Sequence, residues 1–299
     1  MPPTVSGCVK WSWLLVVSSR KCEADGVPAI EDSDSFTLVP VASGAISLRS
    51  VLYGETFHPV VGPMAEARGL HVGQSRLVER AAIVEPLIVW DVGLGAAANA
   101  VAVMEALAGN PSRVELHSFD HSLAPLDFAV RNAEALGYLV PWREAAATLV
   151  DKGRVDVGKV AWFFHPGDFR LGVTAPPPHA ILYDPYSPAA NPGMWTLEHF
   201  ERLFSRLTEP CTLTSYSRST AVRVTLALAG FHVGRGTATG EKNETTVAAT
   251  HRDLLVDPLD GDWLGRVRRS TKAAPLREGG VAGPISEDDF AALSAHVCD

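Results

Sequence analysis

The chain has 299 residues, a formal net charge of −8 from 34 acidic and 26 basic side chains, and 46% hydrophobic residues. These values are typical of a folded globular protein and exclude a disordered, collagen-like or disulfide-scaffold protein. The length allows one decorated α/β domain or two domains of about 150 residues. The acidic balance argues against a surface that attracts nucleic acid everywhere, so a polyanionic partner would need a local basic cluster.

The four cysteines are scattered without a C-x-x-C pair, and the histidines show no metal-ligand spacing. We therefore expect neither a disulfide framework nor a bound metal. The apolar run at 11–17 is far shorter than the roughly 20 residues that span a bilayer. A secretory signal is the alternative, but no small-residue cleavage pattern follows closely. The sequence predicts a cytoplasmic protein that does not bind a membrane.

Residues 1–34 mix Pro, Ser, Gly and acidic residues, and they predict an extension that need not pack. Two alternating or apolar runs, at 36–41 and 46–52, flank Ala42-Ser43-Gly44 and predict a β-hairpin. The segment 63–82, which is rich in Ala, Glu, Leu and Arg, predicts one or two helices.

After this segment, apolar strands alternate with helical segments. The predicted strands are 87–92, 114–119, 160–164, 180–183 and 211–216, and the predicted helices are 96–108, 123–136, 196–206 and 219–229. Such alternation indicates βαβ units and a largely parallel sheet covered on both faces. A terminal hairpin is predicted from 231–233 and 245–249. A parallel core finished by an antiparallel pair is typical of class I methyltransferases, and other doubly wound folds are the alternative.

A glycine turn, Gly93-Leu94-Gly95, joins the first of these strands to its helix. Glycines there let the backbone approach a ligand, and the helix N-terminus presents unpaired N–H groups. Asp120 ends the next strand, 25 residues after Gly95, where its carboxylate can accept both hydroxyl protons of a ribose. A structural turn and a solvated or capping acid are the alternatives.

Asp168 lies in the turn 165–170, after the strand that ends at Phe164. A carboxylate at this edge of a doubly wound sheet lies where ligands bind and could accept a hydrogen bond from an adenine amino group. A turn-stabilising aspartate is the alternative.

A proline-rich segment, 184–195, follows the strand 180–183 and has three prolines within eight residues. Prolines make such a loop rigid and extended, and it places Asp184 and Tyr186 over the same sheet edge as the glycine turn. Asp184 can accept hydrogen bonds from an amine and receive its proton, while Tyr186 offers a ring face to a base or a sulfonium. The alternative is a purely structural turn.

The residues 184–195, D-P-Y-S-P-A-A-N-P-G-M-W, closely resemble the signature D-G-F-(A/S)-P-A-K-N-P-x-M-W of the methyltransferase domain of the tRNA modification protein MnmC. Further segments that resemble this family are 53–59, 62–63 with Glu66, 214–217, 222–223, 229–231 and 240–242. The resemblance covers about residues 36–255, most of the chain.

The resemblance implies an α/β, class I S-adenosylmethionine-dependent methyltransferase with a Rossmann-like, mostly parallel, seven-stranded sheet and a small N-terminal β element. It further implies methylation of the exocyclic aminomethyl group of a modified wobble uridine in tRNA. Its bifunctional relatives carry a flavin-dependent oxidase domain, but this sequence has no second G-x-G-x-x-G unit, so we expect no flavin.

The resemblance also assigns roles to individual residues. The cofactor-binding residues it implies are Gly93, Gly95 and Asn99 for the methionine and ribose, Asp120 for the ribose hydroxyls, Asp168 for the adenine, and Glu55. The catalytic residues that it implies are Asp184 and Tyr186, which would face the amine.

This chain departs from the family pattern in three places. The family often has Gly-Thr-Gly-Leu-Asn where this chain has Gly95-Ala96-Ala97-Ala98-Asn99, and it usually has Glu at the position of Asp120. Ala190 replaces a lysine of the signature and removes a charge that could contact tRNA. The cofactor is therefore better supported than the tRNA substrate. A methyltransferase of small molecules and a non-catalytic binding protein are the alternatives.

The best candidate for tRNA contact is the stretch 263–277, which contains basic but no acidic residues. The predicted tRNA-binding residues are Arg266, Arg268, Arg269 and Lys272. Phosphate binding by such a cluster weakens steeply with salt, and a solvated basic face is the alternative. Ser286 and the acids after it predict a capped terminal helix. The predicted organisation is an extension (1–34), a methyltransferase domain (35–255) and a basic, then acidic, C-terminal extension packed on it (256–299).

Overall fold

The computed structural model describes residues 35–58, 60–238 and 243–298. The predicted extension 1–34 and the segment 240–242 of the family resemblance lie outside these residues.

A two-stranded antiparallel hairpin precedes the main body, as predicted. Its strands are β1 (Phe36–Pro40) and β2 (Ile46–Ser50). The segment predicted as one or two helices forms α1 (Pro63–Glu66), a π-helical stretch (Ala67–Gly73) and α2 (Leu77–Ala81).

The main sheet has eight strands in the order β5-β6-β4-β3-β7-β8-β10-β9. Its strands are β3 (Leu87–Val92), β4 (Val114–Asp120), β5 (Arg154–Val157), β6 (Val160–Pro166), β7 (Ala180–Tyr183), β8 (Thr212–Ser215), β9 (His232–Gly236) and β10 (Thr245–Ala249). The five central strands are parallel, and β10 and β9 add an antiparallel pair at one edge. The predicted fold class is confirmed.

The strand number is eight rather than the seven expected. The additional strand, β5, pairs antiparallel with β6 at the other edge of the sheet. Its four residues, R-V-D-V, alternate between exposed and half-buried positions, so it has no apolar run to reveal it. The helix that precedes it, α6 (Arg143–Lys152), was also not predicted.

The remaining helices cover the sheet. They are α3 (Ala98–Leu107), α4 (Ala124–Arg131), α5 (Ala133–Leu136), α7 (Leu197–Phe204), α8 (Thr220–Leu228), α9 (Gly261–Arg269) and α10 (Glu287–Cys298). The Ser286 hydroxyl accepts a hydrogen bond from the Asp289 N–H at 3.1 Å, so the predicted capped terminal helix is confirmed.

Two apolar clusters bury the two faces of the sheet. Side chains alternate between faces along a strand, and accordingly Leu87 and Val89 belong to one cluster while Trp90 and Val92 belong to the other. Helices α9 and α10 pack into the second cluster, together with α8. The division at residue 256 stays a prediction.

The connection order places a ligand crevice at one point of the sheet. From the central strand β3 the chain adds β4 and β6 on one side, and it then returns to add β7 and β8 on the other. Ligands of doubly wound sheets bind outside the carboxyl ends of the strands at such a switch point.

Candidate active site

A cavity of about 970 Å³ lies at this switch point. It is lined by the glycine turn after β3, the residues that follow β4, β6 and β7, and the segment 53–58 after the hairpin. Its lining includes all eight residues predicted for catalysis or cofactor binding: Glu55, Gly93, Gly95, Asn99, Asp120, Asp168, Asp184 and Tyr186. The structure therefore brings these side chains together, while their individual roles stay predictions.

The glycine turn is shaped by its neighbours. Gly93 has φ 92°, and a Cβ there would lie 2.6 Å from the carbonyl oxygen of Asp184. A Cβ on Gly95, which has φ 49°, would lie 3.0 Å from the Phe57 ring. Glycine is needed because the proline loop approaches the turn closely and because the φ angles are positive.

The Asp120 carboxylate hydrogen-bonds the backbone of the glycine turn. One carboxylate oxygen accepts a hydrogen bond from the Gly95 N–H at 3.0 Å, and the other accepts from the His121 N–H at 2.8 Å. Burial raises the pKa of Asp120, and these backbone hydrogen bonds oppose that rise. Carboxylate oxygens have more than one lone pair each, so both remain able to accept a ribose hydroxyl.

Asp184 is held by groups from three segments. The Asn99 side-chain amide donates to its Oδ2 at 2.9 Å. The Nε2 atoms of His58 and His71 lie 3.7 Å and 3.9 Å from the same oxygen. Asn99, which was predicted to contact the cofactor, thus orients Asp184 through its nitrogen, while its Oδ1 is buried with no hydrogen-bond partner among the described residues.

The Tyr186 ring packs within an aromatic group. It stacks on Tyr53 with centroids 4.3 Å apart, and it meets Phe57 edge-on at 5.6 Å. Burial raises the pKa of its hydroxyl above the ordinary value. The expected open ring face is therefore restricted, because Tyr53 covers one side.

Hydrogen bonds hold the backbone of the proline loop. The Tyr216 hydroxyl donates to the Pro185 carbonyl at 3.0 Å, and the Trp195 indole donates to the Tyr186 carbonyl at 2.9 Å. Both carboxylate oxygens of Glu55 accept from Ser187, one from its N–H at 3.1 Å and the other from its hydroxyl. Glu55 thus links the proline loop to the segment that follows the hairpin, and its predicted role in cofactor binding stays a prediction.

Asp168 forms a local ion pair. Its carboxylate accepts hydrogen bonds from the backbone N–H of Arg170 at 2.9 Å and from the guanidinium at 2.5–3.0 Å. Burial would raise the pKa of Asp168, but the bonds from Arg170 outweigh it and lower the pKa. This geometry corresponds to the turn-stabilising alternative, although Asp168 still lines the cavity.

Four titratable residues near Asp184 were missed as site residues by the sequence analysis. Burial raises the pKa of Asp91 to about 7 and lowers that of His71 to about 3. His58 lies between Asp184 and Glu66, which is 3.6 Å from its Nδ1. His58 and Glu66 occur in segments that resemble the family, and this resemblance could have identified them as site residues. Asp91 and His71 lie inside a strand and a helix, where no sequence motif marks them.

The predicted tRNA-binding residues do not line the cavity as far as the structure describes the chain. Arg268 forms an ion pair with Glu287 at 2.6 Å, and its guanidinium lies over the Phe290 ring at 4.5 Å. The neighbouring Arg277 pairs with Asp289 at 2.8 Å. The acidic start of α10 thus neutralises part of the basic stretch, a pairing across a loop that the sequence did not reveal.

In residues 35–58, 60–238 and 243–298, no helix is long and apolar enough to span a membrane. In the same ranges, no group of three or more His, Cys, Asp or Glu side chains could hold a metal ion.

Comparisons with known proteins find similarity to methyltransferases. Residues 167–251 match a family model described as S-adenosyl-L-methionine-dependent methyltransferase. The chain is similar to the tRNA 5-methylaminomethyl-2-thiouridine biosynthesis bifunctional protein MnmC of Methylibium petroleiphilum, with 29% identity over 245 residues, 76% of this chain and 36% of that protein. The protein of the same name from Azoarcus sp. is 28% identical over 266 residues, 83% of this chain and 40% of that protein.

A solved structure is similar as well. The crystal structure of MnmC2 from Aquifex aeolicus superposes with a TM-score of 0.66 at 25% identity, covering 88% of this chain and 83% of that chain. The chain spans 36% to 40% of the length of the two curated relatives above. The predicted resemblance is confirmed, and so are the predicted enzyme class, a methyltransferase, and its cofactor, S-adenosylmethionine.

Proposed function

We propose that this S-adenosylmethionine-dependent methyltransferase methylates the aminomethyl group of a modified wobble uridine in tRNA. One observation carries the proposal: the signature loop 184–195 brings Asp184 into the same cavity as the glycine turn and Asp120. Relatives of similar sequence are named for tRNA 5-methylaminomethyl-2-thiouridine biosynthesis, which supports this substrate. A tRNA substrate would also agree with the predicted cytoplasmic location.

The cavity fits the cofactor. Its volume of about 970 Å³ is at the upper end of the roughly 300–1,000 Å³ typical of ligand pockets. The buried Asn99 Oδ1, which has no hydrogen-bond partner in the described part of the chain, is an acceptor suited to an amino or hydroxyl group. We assign Gly93, Gly95 and Asn99 to the methionine and ribose, and Asp120 to the ribose hydroxyls.

When bound, S-adenosylmethionine supplies a methyl group activated by its sulfonium: the nitrogen–carbon bond forms as the carbon–sulfur bond breaks, sulfur keeps that electron pair, and the acceptor nitrogen gives up one proton. The protein has to align the acceptor and present it as a neutral amine. An alkylamine such as lysine has an ordinary pKa of about 10.4, so the site must take a proton from it. Asp184, oriented by Asn99, is the proposed acceptor of that proton.

The charge of the cavity favours a cationic acceptor. The carboxylates in its lining are Glu55, Asp120, Asp168 and Asp184, whereas the arginines are Arg49 and Arg170. Arg170 pairs with Asp168, and His58 lies between two carboxylates, those of Glu66 and Asp184, so negative charge is in excess around Asp184 even when His58 is a cation. An ammonium group is attracted to such a site, and the carboxylate that attracts it can also receive its proton.

The test uses labelled S-adenosylmethionine and bulk tRNA from a strain that lacks the final methylation. Wild-type protein should transfer label to tRNA, and Asp184→Asn should reduce turnover by about 10²- to 10⁴-fold, the usual contribution of a general base, with unchanged cofactor affinity. Asp151→Asn, on the exposed side of α6, is the matched control. Near-normal turnover of Asp184→Asn would contradict the role of Asp184.

A small-molecule amine is the second candidate acceptor. It is favoured by the position of the basic cluster away from the cavity lining, by the ion pair of Arg268 with Glu287, and by Ala190 in place of the signature lysine. Incubation with a metabolite extract in place of tRNA distinguishes the two, because label would then enter small molecules. Cofactor binding without any transfer would support a non-catalytic binding protein.

A further inference from the structure

Three ionisable side chains from distant segments meet beside the candidate active site. His58 follows the hairpin, Glu66 ends α1 and Asp184 follows β7. The His58 Nδ1 lies 3.6 Å from a Glu66 oxygen, and its Nε2 lies 3.7 Å from Asp184 Oδ2. The three side chains are 11%, 9% and 13% exposed, so the cluster is close to fully buried.

We propose that His58 is a positioning residue for methyl transfer, a buried cationic bridge between Glu66 and Asp184 that keeps the Asp184 carboxylate charged and correctly oriented. This inference rests on the function proposed above. His58 acts through Asp184 and is not assigned any contact with the acceptor.

The backbone at His58 supports a specific role. Its φ is 48°, in the left-handed region that few residues other than glycine adopt. Such conformations cost energy, persist where the surroundings impose them, and cluster at functional sites. The preceding residue, Phe57, is tied to β2 because its N–H donates to the Leu48 carbonyl at 2.8 Å and its carbonyl accepts from the Ser47 hydroxyl. The hairpin therefore holds His58 in place.

The charges around His58 favour its cationic form. Burial lowers the pKa of His58, but the charges of Asp184, Glu66 and Asp91 outweigh burial, and the net pKa is raised. Opposite charges at these distances stabilise the imidazolium and the carboxylates alike. The ionisable groups that interact with His58 or with its two carboxylate partners are His71, Asp91 and Tyr216, besides Glu66 and Asp184 themselves.

The second histidine beside Asp184 does not share this role. His71 is fully buried, and burial lowers its pKa to about 3. Its Nδ1 lies 2.8 Å from the Thr214 hydroxyl. A neutral imidazole supplies no positive charge, so His58 rather than His71 is the cation beside Asp184.

His58 and Asn99 approach the same oxygen of Asp184. The Asn99 amide donates to Oδ2 at 2.9 Å, and the His58 Nε2 lies 3.7 Å from that atom. The hydrogen bond from Asn99 restricts rotation of the carboxylate, and the positive charge of His58 close to the same oxygen favours its ionised form. An ionised carboxylate is the state that can take a proton from an ammonium group.

The first experiment follows the histidine Cε1–H resonances by NMR as the pH is changed, in protein labelled with ¹³C-histidine. His58→Asn, or His58→Gln if the first does not fold, identifies the His58 signal by its loss. Asp184→Asn and Glu66→Gln should each lower the midpoint of that signal by about one to three pH units, the usual effect of one opposite charge. The control Asp151→Asn should leave it unchanged. A His58 midpoint that neither substitution moves would overturn the proposal.

The second experiment measures the pH dependence of methyl transfer at saturating substrates. Loss of the His58 charge should raise the pKa of Asp184, so the acid limb of the profile should move to higher pH by about one to three units in His58→Asn. His251→Asn, on the exposed surface, should match the wild type. A His58→Asn rate reduced by one factor at every pH would show a merely structural residue and contradict the proposal.

The two experiments separate failure of this inference from failure of the proposed function. If wild-type protein transfers no label to tRNA, the proposed substrate is wrong. The histidine titration needs no acceptor and still decides whether the cationic bridge exists.

Discussion

Gly93→Ala tests how closely the proline loop must approach the glycine turn. In the structure a Cβ at this position would lie 2.6 Å from the Asp184 carbonyl oxygen and 2.9 Å from its carbonyl carbon. Real Cβ atoms essentially never come closer than 3.0 Å to another heavy atom, so the Asp184 backbone must move by at least 0.4 Å. The φ of 92° adds backbone strain, because side chains other than hydrogen rarely allow it.

The magnitude follows from these two effects. A positive φ costs an alanine about 1–2 kcal/mol, and overpacking of a close contact costs about 1–3 kcal/mol. We expect the free energy of unfolding to fall by about 2–5 kcal/mol. Displacement of a catalytic group by about 1 Å can cost roughly 10²-fold in rate, so a shift of about half that should reduce turnover by about tenfold.

Urea unfolding gives the stability change, and single-turnover methyl transfer gives the rate. Gly109→Ala is the matched control, since a Cβ there has no heavy atom within 4 Å and the residue does not have a positive φ. It should be as stable as the wild type or slightly more so. A Gly93→Ala protein with wild-type stability and turnover would refute the inference that this glycine is required by the approach of the loop.

Two further predictions concern charge. Burial raises the pKa of Asp91 to about 7 in the folded protein, whereas in the unfolded chain it is near 3.9. Between about pH 4 and pH 7 the unfolded chain has lost this proton while the folded protein keeps it, so Asp91 increasingly destabilises the fold as the pH rises through this range. Asp91→Asn should remove this pH dependence, raising the unfolding free energy at pH 8 relative to pH 5 by about 3 kcal/mol, since about two pKa units separate pH 5 from the folded pKa. An unchanged slope of stability against pH would contradict this prediction. Arg266→Glu combined with Arg269→Glu should weaken tRNA binding and lower its dependence on salt without affecting cofactor affinity; equal affinity of both proteins for tRNA at low salt would exclude this cluster from the interface.

Much of the fold could be predicted because it is encoded locally. The seven apolar strands were identified by runs and alternation, and the helices between them by composition and length. The eighth strand, β5, was missed because it is an edge strand stabilised by pairing with β6 rather than by its own apolar pattern. Residues 154–157 alternate between exposed and half-buried, as an edge strand does.

The sequence predicted which residues line the candidate site, but it did not predict their hydrogen-bond partners. Asp120, Asp184 and the glycine turn were expected at one sheet edge, and all line one cavity. Glu55 was assigned to the cofactor, yet it binds Ser187, 132 residues away in the chain. Asp168 was assigned to adenine, yet it is engaged by Arg170. Such partners compete for the same lone pairs that a ligand would use, and sequence patterns do not rank them.

The sequence by itself determined the order of strands and helices, the rigidity of the proline loop and the choice of glycine at a turn, because each depends on neighbouring residues. Only the tertiary structure decided which groups surround Asp184. Asn99 and Asp184 are 85 residues apart in the chain, and His58 reaches Asp184 because the hairpin segment folds over the carboxyl ends of β3 and β7. The charge of a buried carboxylate depends on the desolvation and the partners that this packing imposes, and both are properties of three-dimensional distance.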